Sequence, residues 1–271
     1  MTEKIGKPSP TEGQASSAAS RGWLDLVLPL LGPLLLLASW FLASSLGLVA
    51  PLLLPAPQVV LKTLASLLRS GSLFRDIGAS LWRWGMGYAT GCLVGVPLGL
   101  LVGSSLRLYR SPLPLLDFFR SLPVTALFPL FLLLFGIGEE AKIAMAFAST
   151  VFVVALNSAY GVLQAQRARI KAARVFGASR WQIFRWVIFF EALPQTLVGM
   201  RTTLSLSLIV VIVSEMFIGT KWGLGQRIYD AYTVNLTEEL YAVLLVTGLL
   251  GYLSNRLFMA IETRLVFWTG K

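Results

Sequence analysis

Histidine is absent from this chain of 271 residues, and cysteine occurs once, as Cys92. The first absence excludes imidazole acid–base chemistry and histidine metal sites; the second excludes an intrachain disulfide. Charge is scarce as well. Asp, Glu, Lys and Arg make up 13% of residues, about half the share in a soluble domain. There is no G-x-x-x-x-G-K-[ST] run, no G-x-S-x-G elbow, no metal-spaced Cys/His cluster and no heptad repeat, so the chain has no Walker A loop of its own. What it has is apolar length. Hydrophobic residues reach 56%, with several runs of the about 20 residues that a helix needs to cross a bilayer. The composition predicts an all-α, polytopic membrane protein. In a soluble protein the net charge of +10 would point to nucleic acid; in a chain this apolar it reflects Lys and Arg held on the cytoplasmic side.

Residues 1–22 are polar and rich in Ser, Ala, Gly and Pro, and predict a disordered cytoplasmic tail ahead of a membrane domain over 23–271. The first apolar run, about 24–46, is too long for a signal-peptide core and follows too long a tail, so it is an uncleaved span. Pro29 and Pro33 predict a kink near its start. Residues 47–84 combine the proline-punctuated APLLLPAPQVV with the amphipathic VVLKTLASLL, and predict a short helix on the external surface. Five more spans follow at about 85–106, 118–136, 142–164, 195–217 and 240–261, six in all. The third contains Pro123 and Pro129 and ends at an acidic turn, Gly136 to Glu140.

The second span carries Gly87, Gly91, Gly95, Gly99 and Gly103, one every four residues. Such a ridge lets another helix approach closely, which is how helices associate in lipid. Its slow drift around the helix predicts a crossed contact.

Lys and Arg test the topology. With the N-terminus inside, the cytoplasmic segments hold 16 of the 23. The external side holds Lys62, Arg69, Arg75, Arg83, Lys142, Lys221 and Arg227. The asymmetry predicts six spans with both termini cytoplasmic. The four external cations before residue 84 are awkward for it.

Glu215 is the one acidic residue well inside a predicted span. An ionisable group there marks function by default, though its place near the end of the fifth span favours capping or pairing with a neighbouring helix. Thr203, Ser207 and Ser214 fall on one face of that span, and Thr150 and Asn157 on one face of the fourth. These residues either line a polar path or make interhelical hydrogen bonds, worth about 0.6 kcal/mol per pair.

Between the fourth and fifth spans lies a basic, aromatic-rich loop, about 165–190. From Arg167 to Arg185 it holds six cations and no acid. Lys171-Ala172-Ala173, three residues and then Gly177 resemble the E-A-A-x-x-x-G loop of ABC importer permeases. Three further stretches, SLWRWGMGYATGCLVGVPLGLLVG, FFRSLPVTALFPLFLLLFGIG and SEMFIGTKWGLGQRIYDA, are similar in order and spacing to the permease subunits of nitrate, sulfonate, taurine and bicarbonate ABC importers. The resemblance covers about residues 50–268.

That resemblance implies a type I importer core and a homodimer or a pair of such subunits. It also implies two cytoplasmic ATPases, which hold the ATP and Mg, and an external solute-binding protein; no cofactor is expected on this chain. It implies a coupling helix at about 168–178, in which Lys171, Ala172, Ala173 and Arg174 meet the ATPase, Gly177 gives the turn with Ala178 and Ser179, and Phe176 and Trp181 are apolar anchors. Two positions depart from the family pattern. Lys171 stands where the family has glutamate. Val187-Ile188-Phe189-Phe190 replaces I-x-L-P, with proline only at Pro194, which predicts a straighter helix leaving the loop. ATP-driven rocking would move spans three to five, with Arg120 or Arg201 attracting a small anion. A secondary transporter or channel without an ATPase is the rival reading. It calls for inverted repeats or several intramembrane charges, where the spans hold Glu215. An intramembrane enzyme calls for clustered acids, histidines or a nucleophile in context.

Overall fold

The computed structural model describes residues 12–267, and among them the chain is helical with no strand. It forms two compact units, one up to Lys62 and one from Thr63. In the first, α1 (Glu12–Ser45) ends where Gly47 takes φ 64 and the Leu48 N–H bonds back to the Ala43 carbonyl. The Trp40 indole N–H donates to the Pro55 carbonyl at 3.0 Å, folding the following segment back on the helix end. Of the expected tail, residues 1–11 lie outside the described residues, and from Glu12 the chain is already helical. Among the described residues, Leu30–Ser45 of α1 forms an apolar helix. The expected surface helix is α2 (Pro57–Arg69), which straddles the boundary between the units.

In the larger unit α3 (Ser72–Gly103) is longer than predicted. The polar run 72–84 belongs to this spanning helix and not to a surface segment. Asp76, Ser80 and Arg83 recur on one face and are all buried, which the sequence alone could not balance. After α3 come α4 (Leu106–Arg110) and α5 (Leu113–Ser121). A 3₁₀ turn (Val124–Leu127) then leads into α6 (Phe128–Phe135). Leu113–Phe119 and Val124–Phe135 meet at 80° across a short break, so the third expected span is not one straight helix. Pro123, which lacks an N–H and restricts the residue before it, sits at that break.

The centre is α7 (Glu139–Leu163), held between α3 and a long helical run. α8 (Arg167–Val175) and α9 (Arg180–Ile183) precede a π turn (Phe184–Ile188), and α10 (Phe189–Ile218) continues from it. Arg180–Ile218 is thus one helical run of 39 residues, as the lack of proline before Pro194 predicts. α11 (Leu224–Thr233) and α12 (Thr237–Leu265) complete the unit. Leu73, Leu208, Ile212, Leu224, Ile228 and Val243 form the core where α3, α10, α11 and α12 meet. Among the described residues, four helices are long and apolar enough to cross a membrane, Ser72–Gly103, Glu139–Leu163, Arg180–Ile218 and Thr237–Leu265, and there are five where the bent pair is counted as one span.

The glycine ridge is the seam between α3 and α7. A Cβ on Gly87 would stand 2.4 Å from the Ala146 Cβ, one on Gly91 2.7 Å from the Thr150 Cβ, and one on Gly99 2.3 Å from the Ala155 carbonyl oxygen. Gly95 and Gly103 are as tightly closed, by Val151 and Ala159. Partner numbers rise with the glycine numbers, so α3 and α7 run parallel, and contact persists along the whole ridge instead of diverging from one crossing point. On the other side of α7, Gly161 admits the Ala192 backbone and Gly199 admits Asn157. Here the numbers run oppositely, so α10 is antiparallel. The start of α7 and the end of α10 therefore share one end of the bundle; α8, α9 and the start of α10 are at the other.

Candidate functional site

At the first end the fold buries a network of charges. Arg83 of α3 uses its whole guanidinium. Nε and Nη2 fork onto the Glu139 carboxylate at the start of α7, Nη1 donates to Glu215 at 2.5 Å and to the Trp222 carbonyl at 2.8 Å, and Nη2 also reaches the Thr220 hydroxyl at 2.8 Å. Glu215 is fully buried and accepts further bonds from the Ser80 hydroxyl and the Gly225 N–H. Beside it, Arg227 of α11 donates to Asp76 at 2.6 Å and to Glu239 of α12 at 2.7 Å. Burial works to lower the Arg227 pKa, but the hydrogen bonds to Asp76 and Glu239 outweigh it and hold the guanidinium above its ordinary value.

The network has a local cause. α11 begins at Gly223, which has no side chain to cap it, so its free N–H groups are capped from other helices: Gly223 by Asp76 at 3.0 Å, Leu224 by the Ser80 hydroxyl at 2.9 Å and Gly225 by Glu215 at 2.9 Å. Carboxylates at a helix N-terminus also meet the positive end of its dipole. Gly223 and Gly225 allow the approach, since a Cβ on Gly225 would lie 2.0 Å from the Ile212 carbonyl oxygen. Glu215 thus caps and pairs, the role favoured for it from sequence. Arg83, Asp76, Glu139 and Arg227 were not singled out. The available signal was the surplus of cations assigned to the outside, of which Arg83, Lys142 and Arg227 lie in or against this network.

At the opposite end, α8 stops at Gly177, φ 78, by two backbone bonds, Gly177 N–H to the Arg174 carbonyl and Ala178 N–H to the Ala173 carbonyl, each 3.0 Å. This is the left-handed glycine stop that needs no Cβ. Two residues on, Ser179 and Gln182 cap α9 reciprocally, with Ser179 N–H donating to Gln182 Oε1 at 2.8 Å. The corner so fixed presents bare apolar side chains: Val175 is 85% exposed, Phe176 89% and Trp181 65%. Lys171, Ala172 and Arg174 are exposed, and Ala173 and Ala178 half-buried, around them.

The polar residues of the spans mostly turn inward. Thr150, Thr203, Ser207, Ser214 and Glu215 are buried. Thr150, Thr203, Ser207 and Ser214 donate to carbonyls of their own helices, and Ser207 also accepts from the Trp84 indole N–H at 2.9 Å. Asn157 bonds the Val153 carbonyl and accepts from Gln195 at 3.0 Å, and it lines an open pocket with Tyr109, Asp117 and Tyr160. Arg201 is engaged by Asn255 at 3.1 Å and by Glu262 at 3.7 Å. The side chain of Arg120 lies outside what is described.

Fold and surface together define a helical membrane protein that offers a short, rigid, basic and aromatic corner at one end. The chain belongs to the family of binding-protein-dependent transport system inner membrane components, whose model matches residues 95–269. It is 32% identical over 241 residues to the taurine transport system permease protein TauC of Escherichia coli (strain K12), covering 87% of each chain. To the putative aliphatic sulfonates transport permease protein SsuC of Bacillus subtilis (strain 168) it is 30% identical, covering 91% of this chain and 88% of that one. The nitrate import permease protein NrtB of Synechocystis sp. (strain ATCC 27184 / PCC 6803 / Kazusa) is 30% identical over 70% of this chain and 69% of its own. The fold is shared with a chain of the inward-facing MetNI methionine ABC transporter, with TM-score 0.64 and 24% identity over 73% of this chain and 97% of that one. The resemblance read from the sequence is borne out: this is a permease subunit of an ABC importer.

Proposed function

We propose that the permease carries a small sulfonate, is driven by two cytoplasmic ATPases that dock on α8, and receives its cargo from an external solute-binding protein. A second copy of the chain completes the pore, ATP and Mg belong to the ATPases, and both termini are cytoplasmic. The sulfonate reading is supported by relatives named for taurine and aliphatic sulfonates that match nearly the whole chain, whereas the nitrate permease matches less of it. Asn157, a residue of the expected path, lines an open pocket.

The observation that carries the docking role is the corner itself: Phe176 and Trp181 stand exposed on a turn locked by Gly177 and the Ser179–Gln182 cap. Aromatic side chains presented rigidly dominate protein contacts. Lys171, exposed where the family has glutamate, leaves the turn intact and changes only the charge offered to the ATPase.

In a gentle-detergent pull-down, wild type is expected to retain its ATPase. Ala173→Arg and Phe176→Ala are expected to lose it, by about tenfold or more in retained ATPase, the scale of an interface anchor, while eluting as folded protein. Gly177→Asp strains a left-handed position and is expected to do the same. Wild type that brings down no ATPase, or Phe176→Ala that binds as well as wild type, would sink the reading. Uptake of taurine but not nitrate by the reconstituted complex tests the cargo.

A further inference from the structure

We propose that Glu191 is the positioning residue that joins α8 to the long helix α10, so that movement of the docked corner drives α10 and the α7 helix beside it. The inference rests on the docking role of α8 and adds the route by which the motion leaves it.

α8 is otherwise loosely held. It is reached through residues 164–166 and left through the turn at Gly177, and its apolar residues Val175 and Phe176 point away from the bundle, 85% and 89% exposed. One ion pair ties it to α10. Glu191, in the first turn of α10, pairs with Arg169 of α8 and lies 3.5 Å from the Gln166 N–H that precedes the helix. The carboxylate therefore grips α8 at its N-terminal end, where the helix dipole favours an anion. The C-terminal end of α8 is held by the turn into α9. Between these two anchors runs the π turn Phe184–Ile188, a local widening of the helix and a recurrent feature of functional helices.

The next residue fixes the direction of transmission. Ala192 is fully buried, and its carbonyl oxygen would lie 2.7 Å from a Cβ on Gly161 of α7. Glu191 thus stands where α10 crosses α7 with no slack, and a pull on it moves both helices. Its own side chain is 14% exposed and that of Arg169 61%. A pair so open to water contributes little stability, so its effect is expected in coupling and not in folding.

The test uses the whole permease with its ATPase in proteoliposomes, reading taurine uptake and ATP hydrolysis in parallel. Glu191→Gln is expected to keep the wild-type melting temperature, ATPase retention and hydrolysis. Uptake per ATP is expected to fall about fivefold, within the range of coupling changes along such contacts. The charge swap Arg169→Glu with Glu191→Arg is expected to restore most of the uptake. Uptake per ATP at the wild-type level in Glu191→Gln overturns the proposal, and so does a swap that rescues nothing. If Arg169→Gln loses the ATPase while Glu191→Gln does not, Arg169 is a docking contact and the tether is overturned with the docking role intact. Failure of the docking role itself would show earlier, as wild type that retains no ATPase.

Discussion

Arg83→Met in the full-length chain is expected to cost about 3–5 kcal/mol, the scale of removing one partner from a buried ion pair. Folded protein recovered in detergent should fall to a small fraction of wild type. The cost arises from what is left behind. Glu215 is fully buried and would lose its hydrogen-bonded ion pair with Arg83, while Glu139, about half exposed, can turn to water. Arg83→Lys is expected to fail nearly as badly, because one ammonium cannot span Glu139, Glu215, Thr220 and the Trp222 carbonyl as the planar fork does. A double replacement, Arg83→Met with Glu215→Leu, removes both buried charges and is expected to be more stable than Arg83→Met alone. Cys92 supplies the measurement. It is the only cysteine and is buried, so a thiol-specific fluorophore reports the temperature at which the bundle opens. An Arg83→Met protein that opens at the wild-type temperature would show that the network does not hold this end together.

Gly99→Ala is expected to destabilise by about 1–3 kcal/mol, the range for overpacking a closed contact, and Gly99→Leu to prevent recovery of folded protein. Two effects of opposite sign compete. Replacing a helical glycine by alanine gains up to about 1 kcal/mol of helix propensity. At Gly99 the new Cβ would lie 2.3 Å from the Ala155 carbonyl oxygen and 2.6 Å from the Ser158 Cβ. Backbone cannot rotate away as a side chain can, so α3 and α7 must part and the clash wins. Gly85 is the control: on the same helix, with nothing within 4 Å of its Cβ position, Gly85→Ala is expected to be neutral or slightly stabilising. If both alanines behave alike, the ridge is not the seam, and the close pairing of α3 with α7 is in error.

The ridge was legible because its information is local. Five glycines at a spacing of four define a face without knowing the partner, and the partner's Ala146, Thr150, Val154, Ser158 and Val162 repeat the same spacing. The corner after α8 was legible for the same reason: Lys171 to Gly177 encodes a short helix and its stop within a few residues. The capping pair Ser179–Gln182 was equally local, in the S-x-x-[EQ] pattern, though Ser179 had been read only for its place in the loop. Glu215 was found by its exceptional charge.

The start of α3 was not legible, and neither was the network it feeds. A polar run such as SLFRDIGASLWRW reads as surface unless its partners are known. Here they come from far along the chain: Arg83 meets Glu139 56 residues away and Glu215 132 away, while Asp76 reaches Arg227 at a separation of 151. The hydroxyl residues of the fifth span were ambiguous for a related reason. A hydroxyl in a membrane helix bonds its own preceding turn whether that face meets a pore or another helix, so spacing alone could not separate the two.

By itself, then, the sequence determined the membrane class, the number of long apolar helices to within the bent pair and the first span, the face on which α3 packs, and the short helix that ends at Gly177. These follow from hydropathy and helical period, which act over neighbouring residues. Tertiary structure alone decided which charges enter the interior and which helices lie beside α7, because burying an ion is tolerable only where its counterion has been brought alongside, and no local pattern records that meeting.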